Sequence, residues 1–225
     1  MANTRPTLDR GAAVTRSLLG WGVVAGPFYL LVGVILGSTR PGFDFTRHAL
    51  SQLMLGQSGW IQRANFVLTG IMVIAAGTGM LRAIRSGRGL AIGAPVVAAG
   101  LALVSGAVFV PDAVNDFPPG TATDDPTTSG ILHLLCGAVQ FVAIVVAASA
   151  YARWNSTRGR SGRAAVSAVL AAGILGGFAA GVALAQHPTG IALIWLAVLC
   201  EWIWLATASI QIYQWSPHPL GEAGR

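Results

Sequence analysis

Six stretches of about twenty residues from which charge is nearly absent restrict the folding of this chain more than any other feature. They cover approximately residues 18–37, 61–81, 90–110, 130–152, 164–186 and 190–212. A helix needs about twenty residues to cross roughly 30 Å of hydrocarbon. Inside that hydrocarbon the backbone finds no water, so a crossing segment is either a helix or a strand of a closed barrel. Barrel strands alternate polar and apolar residues, and these stretches do not. Composition agrees: 54% of residues are hydrophobic and 10% charged, against about a quarter charged in soluble domains, and the mean hydropathy is +0.65. The predicted fold class is all-α, a polytopic bundle of six transmembrane helices over residues 18–212, with tails at 1–17 and 213–225. Arginines precede the first stretch as they precede a secretion signal, but its apolar core is too long for one, so it is expected to be retained.

Orientation is read from arginine, which supplies all fourteen basic residues because the chain has no lysine. Arg5, Arg10 and Arg16 precede helix 1; Arg82, Arg85 and Arg88 join helices 2 and 3; Arg153, Arg158, Arg160 and Arg163 join helices 4 and 5; Arg225 ends the chain. With six crossings, these eleven share one side and only Arg40, Arg47 and Arg63 take the other. The positive-inside rule then predicts cytoplasmic N- and C-termini. Arginine without lysine, with abundant alanine and glycine, suits a GC-rich bacterial genome, so the expected location is the bacterial cytoplasmic (plasma) membrane. The net charge of +6 is absorbed by topology, and no nucleic-acid partner is implied. Aromatic anchors are expected at Trp60, at Tyr151 with Trp154, and at Tyr213 with Trp215.

Glycine indicates how the helices pack. Gly173, Gly177 and Gly181 recur every four residues, a small-xxx-small ridge that admits a neighbouring backbone, chiefly within the chain and alternatively in a homo-oligomer. Gly22 with Gly26, and Gly33 with Gly37, repeat that spacing in helix 1. Cys136 and Cys200 fall inside helices and read as apolar fillers.

The loops assigned to the outside carry most of the chemistry. In FDFTRHALSQLMLGQSGW, Asp44 is placed to cap a short amphipathic interfacial helix from Phe45 to Leu55, ended by Gly56. Four of the eight acidic residues, Asp112, Asp116, Asp124 and Asp125, lie between helices 3 and 4. Ser51, Asp112 and His133 are the candidate catalytic residues. His48, His133, His187 and Asp112 form a candidate zinc set, which would need three or four such ligands and, for catalysis, an open position for water. No HExxH, HxxxH or CxxC spacing accompanies them.

The segments HALSQLMLGQSGWIQRANFVLTG, VFVPD and GILHLL resemble the bacterial membrane-protein family called domain of unknown function 998, over about residues 18–212. The resemblance implies six membrane helices and carries no activity. The family's aspartate follows a phenylalanine and a proline. Here Val110 and Pro111 precede Asp112, whereas Phe117 and Pro118 adjoin Asp116, so either aspartate is a candidate equivalent. The order Ser51, Asp112, His133, His187 is also similar to that of alkaline ceramidase and adiponectin-receptor-like membrane hydrolases. Those have seven helices and paired histidines on a late helix, and helix 6 here contains none.

Glu201 falls near the middle of helix 6, where a carboxylate costs roughly 2.5 to 3.5 kcal/mol on insertion scales, so it is expected to face inward toward a partner. Counted from the outer ends, Gln140 on helix 4 reaches the same depth and is the predicted hydrogen-bond partner. Asn65, Thr69 and Ser105 are placed to extend a polar track from His133 toward Glu201. Three function classes remain open: binding or processing of a membrane lipid or headgroup at the outer cluster, proton-coupled transport through Glu201, or a structural bundle without chemistry. Helices 1–3 and 4–6 show no sequence repeat, which disfavours transport.

Overall fold

The computed structural model describes residues 8–121 and 125–220, so Arg5, Asp124 and Arg225 lie outside the described residues. Six α-helices form among the described residues: α1 (Arg10–Thr39), α2 (Gly59–Ala83), α3 (Gly87–Gly106), α4 (Thr128–Ser156), α5 (Ser161–Ala183) and α6 (Pro188–Trp215). All six are long and apolar enough to cross a membrane.

Several helix ends depart from the hydropathy edges, because capping and tertiary contacts set them. α1 starts at Arg10, inside the predicted tail, where the Asp9 carboxylate accepts the Ala12 N–H at 3.0 Å. Arg16 then bonds the carbonyls of Tyr213 and Ser216 and lies 3.8 Å over the Tyr213 ring, which carries α6 to Trp215. α3 stops at Gly106 although apolar residues continue to Val110. Past that point the Ser129 hydroxyl accepts the Val110 N–H at 2.8 Å and donates to its carbonyl at 2.9 Å, so side-chain bonds replace the helical ones.

Each helix packs on the next in sequence, and α1 packs on α6, closing the ring. One end of the ring gathers the α1–α2, α3–α4 and α5–α6 connections: His48 bonds Asn115, and the Trp195 indole N–H bonds Phe45 O. The other end gathers the tails and the remaining connections, where Asp9 N–H donates to Pro219 O and Arg82 to Thr15. We call these the loop end and the tail end.

The predicted glycine ridge is an intrachain seam. Cβ atoms placed on Gly177 and Gly181 would lie 2.7 Å from Leu193 O and 3.0 Å from Gly190 O, both on α6. Gly173, which meets Cys200, joins them, so all three residues of the ridge, Gly173, Gly177 and Gly181, meet α6 within the chain. A seam not anticipated from sequence joins α2 to α3, where Gly70 faces Gly100 O and Gly77 faces Gly93 O. Lipid tails are as apolar as leucine, so such helices associate through close packing and hydrogen bonds, which the small residues permit. The outer surface stays apolar, with Leu31, Ile71, Leu101 and Val169 exposed. Of the expected anchors, Trp60, Tyr213 and Trp215 are exposed, whereas Tyr151 and Trp154 are buried, packed on each other and on Trp204 and Trp215.

The first connection differs from expectation. In place of one helix over Phe45–Leu55 there is a turn at Asp44–Arg47, then a 3-10 helix, Leu50–Met54. Asp44 accepts both the backbone N–H and the hydroxyl of Thr46, a local bond that closes the turn before an α-helix can start. Those bonds hold the Asp44 carboxyl below its ordinary pKa. Leu50, Leu53 and Met54 are buried against α1 and α2.

Candidate intramembrane site

A cavity of about 150 Å³ opens between α1, α2, α4, α5, α6 and the 3-10 helix. Its polar lining groups are Ser51, His133, Gln140, Glu201 and Tyr29. At 1.5 Å per residue, His133 lies about 8 Å along α4 from its start. Gln140 lies about 18 Å along the same helix, and Glu201 about 20 Å along α6. The site therefore runs from the loop end to mid-bundle depth. Below it, toward the tail end, Ile144, Trp204, Leu205 and Ile212 are all buried.

The floor is a paired carboxyl. Gln140 Nε2 donates to both oxygens of Glu201, each at 3.0 Å, and both side chains are buried, Glu201 to 1% exposure. This is the partnership expected from equal depth. One amide leaves much of a carboxyl group's accepting capacity unused, and Glu201 is part of the cavity lining.

At the upper part of the cavity, His133 Nδ1 lies 3.0 Å from Gly106 O and 2.9 Å from Phe109 O. Two carbonyls at one ring nitrogen require that nitrogen to carry the proton. Nε2 has no partner among the described residues, so a neutral His133 offers its lone pair there. Ser51 reaches the same cavity from the 3-10 helix.

The remaining candidates lie elsewhere. Asp112 accepts the Thr127 hydroxyl at 2.6 Å and its N–H at 3.2 Å, and Thr127 in turn caps α4 by accepting the Gly130 N–H. Gly130 leaves room for that carboxylate, which any Cβ there would overlap. Asp112 therefore braces the start of α4 and has no hydrogen bond to His133, whose Nδ1 is occupied by the two carbonyls. His48 is 1% exposed; its Nδ1 accepts the Asp44 N–H and its Nε2 donates to Asn115 O. Its ring packs against Phe43 and Phe117, which also touch each other, and both nitrogens are used, so it locks the first loop to the second and has no lone pair for a metal. Asn115 presents that carbonyl at φ +54°, in the left-handed region that asparagine tolerates better than most residues. His187 is exposed and precedes α6. Among the described residues no three His, Cys, Asp or Glu side chains gather as a metal site, and the set His48, His133, His187 and Asp112 is dispersed.

The polar track is shorter than predicted. Asn65 bonds Tyr29 O and Gln62, and Thr69 donates to Asn65, all beneath the surface. Ser105 is exposed and turns back to Leu101 O. Sequence reasoning missed Tyr29, Phe66, Phe178 and Trp195 as cavity walls, because an aromatic residue in a membrane helix carries no mark of which way it faces.

No curated protein and no solved structure matches the chain. The profile of one family covers residues 23–211, which takes in all of the cavity lining. The chain belongs to that family, described as protein of unknown function (DUF998).

Proposed function

We propose that the protein binds a small amphipathic molecule, or one end of a membrane lipid, in the cavity entered from the loop end. One observation carries this reading: a buried carboxyl, only partly satisfied by Gln140, forms the floor of a largely aromatic cavity whose upper wall carries Ser51 and His133. Ionisable groups inside membrane bundles mark ligand or ion pathways as a rule, and apolar pockets with a few convergent polar groups are the usual form of a binding site. A volume near 150 Å³ suits a group of about benzene size. That is one end of a ligand, with the remainder directed toward the loop end.

Binding is better supported than hydrolysis, since a Ser51–His133–Asp112 relay needs hydrogen-bond reach between its members and Asp112 is engaged with Thr127. It is also better supported than transport, since the large apolar side chains Ile144, Trp204, Leu205 and Ile212 lie buried between Glu201 and the tail end. Gly137 supplies the test: it lines the cavity, and a Cβ added there meets nothing within 4 Å. Gly137→Leu should narrow the site, its Cβ meeting no neighbour. With 6,6,6-trifluorohexan-1-ol as probe, fluorine NMR of the purified protein should give a saturable bound signal that Gly137→Leu abolishes. No saturable signal in the unaltered protein, or an unchanged one in the variant, defeats the reading.

A further inference from the structure

Resting on that reading, we infer that the group held at the cavity floor is an organic cation of the alkylammonium class, with a trimethylammonium end as the best fit. Six aromatic residues line the cavity: Tyr29, Phe66, Phe141, Phe178, Trp195 and Trp202. Five of them pack in two groups: Tyr29 is 5.6 Å from Phe66 and 5.3 Å from Trp202 between ring centroids, and Phe141 stacks on Phe178 at 4.6 Å. The Trp195 indole N–H is already committed to Phe45 O.

An aromatic ring carries negative charge density on its face, and a desolvated cation gains more from it than a solvated one; quaternary ammonium groups are the ligands that aromatic cages hold best. The wall contains no arginine, and the chain contains no lysine. Glu201 is the one acidic side chain in the lining. An anion placed here would meet the Glu201 carboxyl with no cation in the lining to offset it, since the buried Trp202 indole N–H, without a partner among the described residues, carries no full charge. A neutral apolar group would leave the Glu201 carboxyl without a counter-charge. An alkylammonium answers both surroundings, with methyl groups against the rings and charge opposite the carboxylate. A trimethylammonium group is smaller than benzene and so fits a volume near 150 Å³. It has no N–H, and therefore leaves the Gln140–Glu201 bonds in place.

The test is calorimetric, in dodecyl maltoside micelles, which contain neither charge nor ammonium. Choline is titrated against 3,3-dimethylbutan-1-ol, its uncharged isostere, and hexyltrimethylammonium is compared with tetramethylammonium to separate a tailed, lipid-like ligand from a free one. Choline should bind about tenfold or more tightly than the isostere. Glu201→Gln, which retains a polar side chain opposite Gln140, should lower that ratio about threefold or more, the remainder being the share of the aromatic residues. Gly137→Leu should abolish binding of both. Equal affinity for choline and its isostere in the unaltered protein, with both lost in Gly137→Leu, overturns the cation assignment and leaves the binding cavity standing. Undiminished preference for choline in Glu201→Gln also overturns it. Failure of every compound to bind, together with a null fluorine signal, removes both inferences.

Discussion

Removing the amide of Gln140 isolates a carboxyl group in the middle of the bundle, and the cost can be worked out. Glu201 is 1% exposed and accepts from Gln140 Nε2 at both oxygens. Gln140→Leu keeps the approximate bulk and deletes the donor. Interhelical hydrogen bonds in membrane proteins average about 0.6 and reach about 1.7 kcal/mol. A buried polar group left unsatisfied costs about 1–3 kcal/mol. We therefore expect about 1.5 kcal/mol of destabilisation from Gln140→Leu. Glu201→Leu should cost less, because the amide it strands is neutral. The double variant, with neither group to satisfy, should recover most of the loss. The coupling is then about 1–2 kcal/mol, a few degrees in Tm for a chain of this size. Reversible unfolding in mixed micelles, followed by tryptophan fluorescence on all four proteins, measures it. Uncoupled sites add to within about 0.5 kcal/mol. If the single effects sum to the double within that margin, the pair contributes no interaction energy and the reasoning about the cavity floor fails.

Three further outcomes are expected. Gly177→Val should destabilise by about 1–3 kcal/mol, since its Cβ would lie 2.7 Å from Leu193 O and must force α5 from α6; an unchanged midpoint in the same unfolding assay would show that the seam yields freely. Asp112→Ala should cost about 1 kcal/mol through loss of the Thr127 brace, with ligand affinity within twofold of the unaltered protein. A complete loss of binding there would return Asp112 to the site. Cysteines at Asp125 and Arg158, in a background without Cys136 and Cys200, should be labelled by impermeant reagents from opposite sides of the membrane, with Arg158 cytoplasmic as arginine counting predicts. Labelling from one side breaks the six-crossing topology.

What the sequence determined by itself was partition and depth. Six apolar runs separated by charge, glycine and proline suffice to place six helices, because transfer into hydrocarbon is a property of each segment taken alone. Depth follows from the fixed rise of a helix, so Glu201 and Gln140 could be matched by counting from their helix ends. Rotation about each helix axis was left to the tertiary structure. In water an apolar stripe marks the buried face, but in a membrane the lipid-facing and core-facing sides are both apolar, and residue type no longer records direction. Leu101 and Leu103 are alike in sequence, yet the first is exposed and the second buried. For the same reason Ser105 could not be told from Thr69, nor the cavity walls Tyr29 and Phe178 from lipid-facing aromatics. The roles of His48 and His133 depended on contacts still more remote. Asn115, distant in sequence, occupies His48, while the carbonyls at Gly106 and Phe109 leave His133 Nε2 unbonded. Such choices are made by close packing between segments far apart in the chain, and no single segment contains them.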